Sequence, residues 1–441
     1  MTWVPCASVC FGICVAVVAS TTLTMGASTT TNNDSNDFGL IGADAFGTFH
    51  INTSDPETQP VLMNGADVLN LLHTQQQTVQ TQTSTIKTQQ QIIEEQSAVI
   101  AAQQRRLSVM TDTFCTAHVS TVPGAGAGAA KWQGGVLAGN GNIYGIPSHS
   151  SSVLIFSPET NALDSTSIAG LPSGEYKWSS GVFVPSVAAI FAFPDWYDAV
   201  LRIDTVANSA DWTTMAGLGT EPSKWGSGVL GDDGRVYGVP FSASSVLIVD
   251  PATNAVDTTT MSGLGTQEGK WWGGAVVPGG RIFCVPRNAD TVLIIDPATA
   301  SLDTTSISGL GTTEMNKFAG AVLAGNGLIY GIPLSASEVL VVDPVELVAD
   351  AIPLPQAASS VQQPFKWLGG VLTGTGLVVG IPHKADYVLV VDPATNTTLS
   401  PLLDGLGVGG DKAVGGALAG NGRVYAFPHT ADHILVIHPG C

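Results

Sequence analysis

Seven of the nine lysines in this chain stand at one place in a repeated unit. They are Lys131, Lys177, Lys224, Lys270, Lys317, Lys366 and Lys412, spaced 46, 47, 46, 47, 49 and 46 residues apart. Seven ammonium groups converging on one rim would attract an anion. The competing reading is structural. Glu175, Glu221, Glu268, Glu314 and Asp411 precede lysines, and Asp198, Asp290, Asp386 and Asp432 recur further along the unit, so each lysine has an acid to pair with. A position repeated in every unit behaves as scaffold, whereas ligand contacts usually break symmetry.

Function is better sought where the repeat varies. The residues after a recurring proline are Ser148, Asp195, Phe241, Arg287, Leu334, His383 and His429. The second unit continues Asp195-Trp196-Tyr197-Asp198. Exposed, Trp196 and Tyr197 could stack on a sugar face; packed against a neighbouring loop, they would be a plug. The sixth and seventh units read His383-Lys-Ala-Asp386 and His429-Thr-Ala-Asp432. Two histidines and two aspartates at equivalent places could bind a divalent metal or act as acid and base, and ordinary surface histidines are the alternative. Whether a metal binds stays open. The sequence carries no Gly-rich phosphate loop, paired-cysteine zinc motif or serine nucleophile elbow, and no cofactor is implied.

The unit itself dictates the elements. The copy beginning at Lys270 reads KWWGGAVVPGGRIFCVPRNADTVLIIDPATASLDTTSISGLGTTEMN. Apolar, β-branched runs alternate with Gly, Pro, Asn and Asp, which marks four short strands: WWGGAVV, RIFCVP, TVLIID and LDTTSIS. Asn140-Gly141, Asn326-Gly327, Asn421-Gly422, Asp233-Gly234 and Gly279-Gly280 join the first two, and such pairs tolerate the positive φ of a hairpin turn. Four antiparallel strands per unit, seven times over, make an all-β fold, a seven-bladed β-propeller, rather than a β-solenoid. Lys opens the first strand, so it lies on the face where fourth-to-first and second-to-third loops emerge, here called the top. Gly135, Gly181, Gly228, Gly274, Gly320, Gly370 and Gly416 fit a close approach at the axis. The aromatics after Lys (Trp132, Trp178, Trp225, Trp271, Phe318, Trp367) read as packing between blades. Asp204, Asp250, Asp296, Asp343 and Asp392 read as turn residues closing the third strand.

The ends support a closed ring. The last unit stops at Cys441 without a fourth strand, while residues 116–124, just after Cys115, match a fourth strand that has no blade. Cys115 and Cys441 then fall on consecutive positions of one turn, where a disulfide would replace the missing peptide link. Cys284 is expected to stay reduced inside a strand.

The VLIIDPATN-like step resembles that of YVTN and NHL-type propellers, and the KWxGG…YGIP frame resembles arrays in secreted propellers of microbial eukaryotes. The resemblance covers residues 111–441 and extends loosely to propeller lyases of the virginiamycin type. It implies the fold. No lyase signature matches, so no active-site residues carry over.

Ahead of the propeller, residues 1–27 read as a signal peptide, with a signal anchor as the alternative. Residues 28–65 carry no assignable structure. Over residues 66–110, Leu72, Val79, Ile86, Ile93, Ile100 and Leu107 recur every seven residues, with Gln75, Gln82, Gln89, Gln96 and Gln103 three further on. That is an α-helical coiled-coil seam with glutamine layers, rather than a glutamine-rich linker, and it favours a parallel homotrimer over a dimer. Asn33, Asn52 and Asn396 lie in glycosylation sequons. A net charge of −19 argues against nucleic-acid binding. The resulting expectation is a secreted, oligomeric module binding extracellular glycan or glycoprotein. A propeller enzyme, a lyase or hydrolase using His383 and His429, and an architectural matrix protein are the alternatives.

Overall fold

The computed structural model describes residues 40–43, 49–52, 62–63, 66–114, 117–311, 314–354, 363–399, 406 and 410–440. The chain divides into two units at Gln103, each considered on its own.

In the first, two short strand pairs, Leu40–Ala43 with Phe49–Asn52 and Leu62–Met63 with Ala66–Asp67, precede a helix, Val68–Phe114. At 47 residues the helix is about 70 Å long. Its threonines return their hydroxyls to the carbonyl four residues back, as Thr78 does to Thr74 at 2.9 Å, so they do not break it. Leu72, Val79, Ile86, Ile93 and Ile100 lie exposed along it.

The second unit is a seven-bladed β-propeller of four-stranded antiparallel sheets. Blade 1 comprises Trp132–Leu137, Ile143–Pro147, Leu154–Ser157 and Ala162–Asp164, and blades 2 to 6 repeat that order from Trp178, Trp225, Trp271, Phe318 and Trp367. Blade 7 takes three strands from the C-terminal end, Ala413–Leu418, Val424–Pro428 and His433–His438, and its outer strand, His118–Pro123, from the far end of the propeller sequence. The pairing runs from His433 opposite Pro123 to His438 opposite His118. Positions 115 and 441 lie outside the described residues.

Between blades sits the core. Tyr144 and Ile146 of blade 1 pack with Trp178, Ile190 and Leu201 of blade 2, and the other boundaries follow the same plan. In the five blades whose first strand opens on tryptophan, the indole N–H donates to a carbonyl 20 or 21 residues on, as Trp178 does to Ala199 at 2.8 Å. The recurring prolines end the second strands, and the recurring aspartates cap turns. Asp250, for one, accepts the Ala252 amide at 2.9 Å.

Two details depart from the sequence expectation. The fourth strands of blades 1 to 4 and 6 are short, two or three residues, so that Ser301–Asp303 stands where seven residues were expected, whereas Val348–Pro353 and His118–Pro123 keep six. Asp303 accepts the amides of Thr305 and Ser306 at 2.7 and 3.0 Å, which turns the chain out of the ladder. The second concerns glycine. A β-bulge interrupts the first strand of every blade, after the opening aromatic in blades 1 to 6 and after Val414 in blade 7, and inverts the facing of what comes next. Close backbone approach at the axis therefore falls one residue before most of the glycines named above. A Cβ on Gly273, at φ +94°, would lie 2.6 Å from the Gly320 Cα. Gly320, at φ +113°, belongs to this inner ring, whereas Gly228 leaves room for the Phe193 side chain of the preceding blade.

On the bottom face a tyrosine of one blade reaches the asparagine turn of the next. The Tyr144 hydroxyl donates to Asn208 Oδ1 at 3.2 Å, and the Tyr330 hydroxyl to Asn396 Oδ1. Blade 2 has Phe191 in that place, and the matching Asn254 Oδ1 is buried without a partner. Phe191→Tyr should supply the missing donor and stabilise the propeller by about 1 kcal/mol. Chemical denaturation would read it, and an unchanged or lower stability would show that the phenol does not reach. Tyr330 engages only the Asn396 oxygen, so the amide nitrogen of that sequon stays open to glycosylation. Asn33 lies outside the described residues, and of Asn52 only the backbone is described.

Candidate functional site

The lysines occupy the top rim, and the structure shows what they do there. Lys131, Lys177, Lys224, Lys270, Lys317 and Lys366 are only 0–8% exposed, and Lys412 is half-buried. Their ammonium groups bond to backbone carbonyls: Lys131, Lys177, Lys224, Lys270 and Lys317 reach both the preceding blade and the loop before the lysine, Lys412 reaches Lys384 O and Ala385 O of the preceding blade, and Lys366 reaches Gln363 O of its own loop. Lys177 Nζ donates to Ser148 O at 2.6 Å, Ser150 O at 3.0 Å and Gly174 O at 3.3 Å. Lys270 reaches Ala243 O and Gln267 O, and Lys131 reaches Ala431 O of blade 7 and Gly128 O. Burial pushes the pKa of Lys177, Lys270 and Lys366 down to about 8, and the carbonyls around them favour the charged form. The lysines therefore act as staples between blades, and their acceptors are carbonyls where the sequence pattern suggested acids.

The lysine backbone completes the closure. Each lysine N–H donates to the carbonyl of the residue after the preceding blade's proline: Lys177 to Ser148, Lys224 to Asp195, Lys270 to Phe241, and so around to Lys131 with His429. This circle fixes the backbone of the seven variable residues at the axial mouth and leaves their side chains open to choice.

Three groups occupy that mouth. Across blades 1 and 2, His149 meets Tyr176 edge-on at 4.5 Å, and Tyr176 lies tilted against Trp196 at 5.1 Å. The Trp196 amide donates to the Tyr176 carbonyl at 2.9 Å, which locks the pair. Tyr176 holds φ at +49°, and the residue before the recurring lysine is likewise positive in φ at Ala130, Ser223, Gly269, Asn316 and Phe365, so this angle belongs to the scaffold and sets where the ring emerges. Trp196 is 42% exposed and Tyr176 37%; among the described residues no other Trp, Tyr or Phe side chain is as open. Tyr197 instead turns inward, packing on Trp178 at 4.8 Å.

The second group spans blades 6 and 7. His383 Nδ1 donates to Ala413 O at 3.0 Å, so its Nε2 faces Asp411 Oδ1 at 3.3 Å. His429 lies 5.5 Å from His383, ring to ring, with Nδ1 4.0 Å from Asp411 Oδ2, and Lys384 Nζ is 3.6 Å from the same carboxylate. Burial, then the neighbouring His383, pushes the His429 pKa down to about 4, so it is neutral near pH 7. Asp411 thus takes the place expected of Asp386 and Asp432: Asp432 bonds His433 at 2.8 Å, and Asp386 lies near Lys412. Among the described residues no three His, Cys, Asp or Glu side chains are placed to hold a metal ion.

The third group is Arg287, whose guanidinium lies over the rings of Phe241 at 4.9 Å and Trp272 at 5.0 Å. Its Nε donates to Asn316 Oδ1 at 2.8 Å, and Asp195 lies near enough to couple to its charge. Sequence reasoning missed His149, Tyr176 and Asp411. The one available signal was that each stands beside a recurring lysine or proline position.

No protein-family model matches the chain, and no curated protein sequence does. Solved structures do. A streptogramin B lyase shares 8% identity at a TM-score of 0.58, over 72% of this chain and 96% of that one. The WD40 β-propeller domain of Doa1 shares 10% at 0.52, over 72% and 95%. The extracellular domain of BT4673 from B. thetaiotaomicron shares 8% at 0.52, over 72% of this chain and 40% of that one. At these identities the likeness establishes the β-propeller fold, and the fold alone.

Proposed function

We propose that this propeller is a secreted, oligomeric binding module whose top mouth takes glycan or glycoprotein ligands. The observation that carries this is the Tyr176–Trp196 pair, two exposed aromatic rings held rigidly beside polar, charged neighbours. A flat aromatic face offers its area to the apolar face of a sugar at little entropic cost. The exposed heptad stripe on Val68–Phe114 supports association of several chains, and several heads would raise avidity for a repeated ligand. No helix among the described residues is long and apolar enough to cross a membrane.

A glycan array probed with the full-length secreted chain tests this. Binding should fall at least tenfold in Trp196→Ala with the melting temperature unchanged; wild-type binding to no glycan would overturn the reading. Deleting residues 66–110 should leave a folded monomer by light scattering, and a head that stays oligomeric would place the assembly contact elsewhere.

The His383–Asp411 contact favours a second reading, an acid–base enzyme with His429 as a neutral base. Lyase or hydrolase activity that disappears in His383→Ala, with glycan binding intact, would select it.

A further inference from the structure

Arg287 stands apart from every other cation on the top face. Its planar group lies over two aromatic rings that are themselves edge to face at 5.2 Å. Its Nε is fixed by Asn316, whose backbone is held in turn: the Asn316 amide donates to Asn288 Oδ1 at 2.7 Å, and its carbonyl accepts from Ser335 at 2.9 Å. Nη1 and Nη2 donate to no protein atom among the described residues. They are not buried orphans either, so each keeps some contact with solvent, although burial of the group as a whole lowers its pKa to about 10. A preorganised guanidinium with two free edge nitrogens matches a planar carboxylate in a bidentate pair, and little side-chain entropy remains to be lost on binding. The chain as a whole carries −19, so a polyanion is repelled at long range and selection must come from this one fixed fork.

We propose that Arg287 is the receptor for a sugar carboxylate, so that the ligands of this mouth are glycans bearing an isolated uronic acid. The proposal rests on the glycan reading above and names the ligand class. Asp195 couples to Arg287 and to Lys224, and burial, opposed by those two cations and by a backbone hydrogen bond from Ser223, raises its pKa to about 7.

The test is titration calorimetry of the full chain with a glucuronide-capped oligosaccharide and with its methyl ester, a neutral isostere. Esterification should weaken binding at least tenfold. Arg287→Lys keeps the charge and loses the fork. It should lose the same factor for the acid, leave the ester unchanged, and melt close to wild type. Equal binding of acid and ester, both abolished by Trp196→Ala, would overturn the proposal and leave the glycan reading standing. The same follows if the acid is not bound while neutral glycans are. A peptide C-terminus bound as tightly as the glucuronide would overturn the sugar assignment.

Discussion

Lys177→Met should destabilise the propeller by about 3 kcal/mol, and sulfate should change neither the wild-type nor the mutant melting curve. The side chain is 1% exposed, and three carbonyls from two blades converge on its ammonium group. Methionine fills the volume but strips half-buried Ser150 O of its donor and leaves buried Ser148 O with the Lys177 amide alone, at a typical 1–3 kcal/mol for an orphaned group, while exposed Gly174 O returns to water. An exposed ion pair would contribute only about 0–1 kcal/mol, so the size of the loss separates the two roles. Lys270→Met should behave alike. A stability loss under about 1 kcal/mol, or a melting temperature raised by sulfate, would return the lysine ring to the anion-site reading.

Cys441→Ser should cost more, about 5 kcal/mol by loop-closure entropy, because a Cys115–Cys441 disulfide would enclose more than 300 residues. The support lies in the ladder that closes blade 7. His118 pairs with His438, their rings stacked at 3.8 Å, and in the sequence the two cysteines each lie three residues beyond this last pair. Non-reducing peptide mapping of secreted protein should find the link. Free thiols at both positions, or an equal melting temperature with and without reductant, would remove it. Cys284, fully buried inside its strand, should stay unmodified.

The fold was legible because a 47-residue period with asparagine-glycine turns states both strand count and blade count, and because the strand without a blade at His118–Pro123 named its own partner. The axial glycines were misplaced by one residue because a β-bulge carries no side-chain signature, yet it inverts the facing of all that follows in the strand. The lysine partners were unreadable for a related reason. Backbone carbonyls are present at every position, and only the folded ring shows which ones turn toward Lys177. Asp411 escaped because its histidine partners, His383 and His429, come from two different blades, and local spacing says nothing about the junction between them. Tyr197 was misjudged beside Trp196 because adjacent residues in a loop need not share a face.

The circle of hydrogen bonds running from each lysine amide to the next carbonyl uses main-chain atoms throughout. Its acceptor residue is therefore anonymous: serine, aspartate, phenylalanine, arginine, leucine and histidine all serve in this one molecule. A ring built so can exchange the side chains at its mouth without renegotiating its own closure. The closure makes no demand on the seven side chains, so what limits a substitution there is the packing around it, tight at Ser148 and Leu334, and not the ring itself.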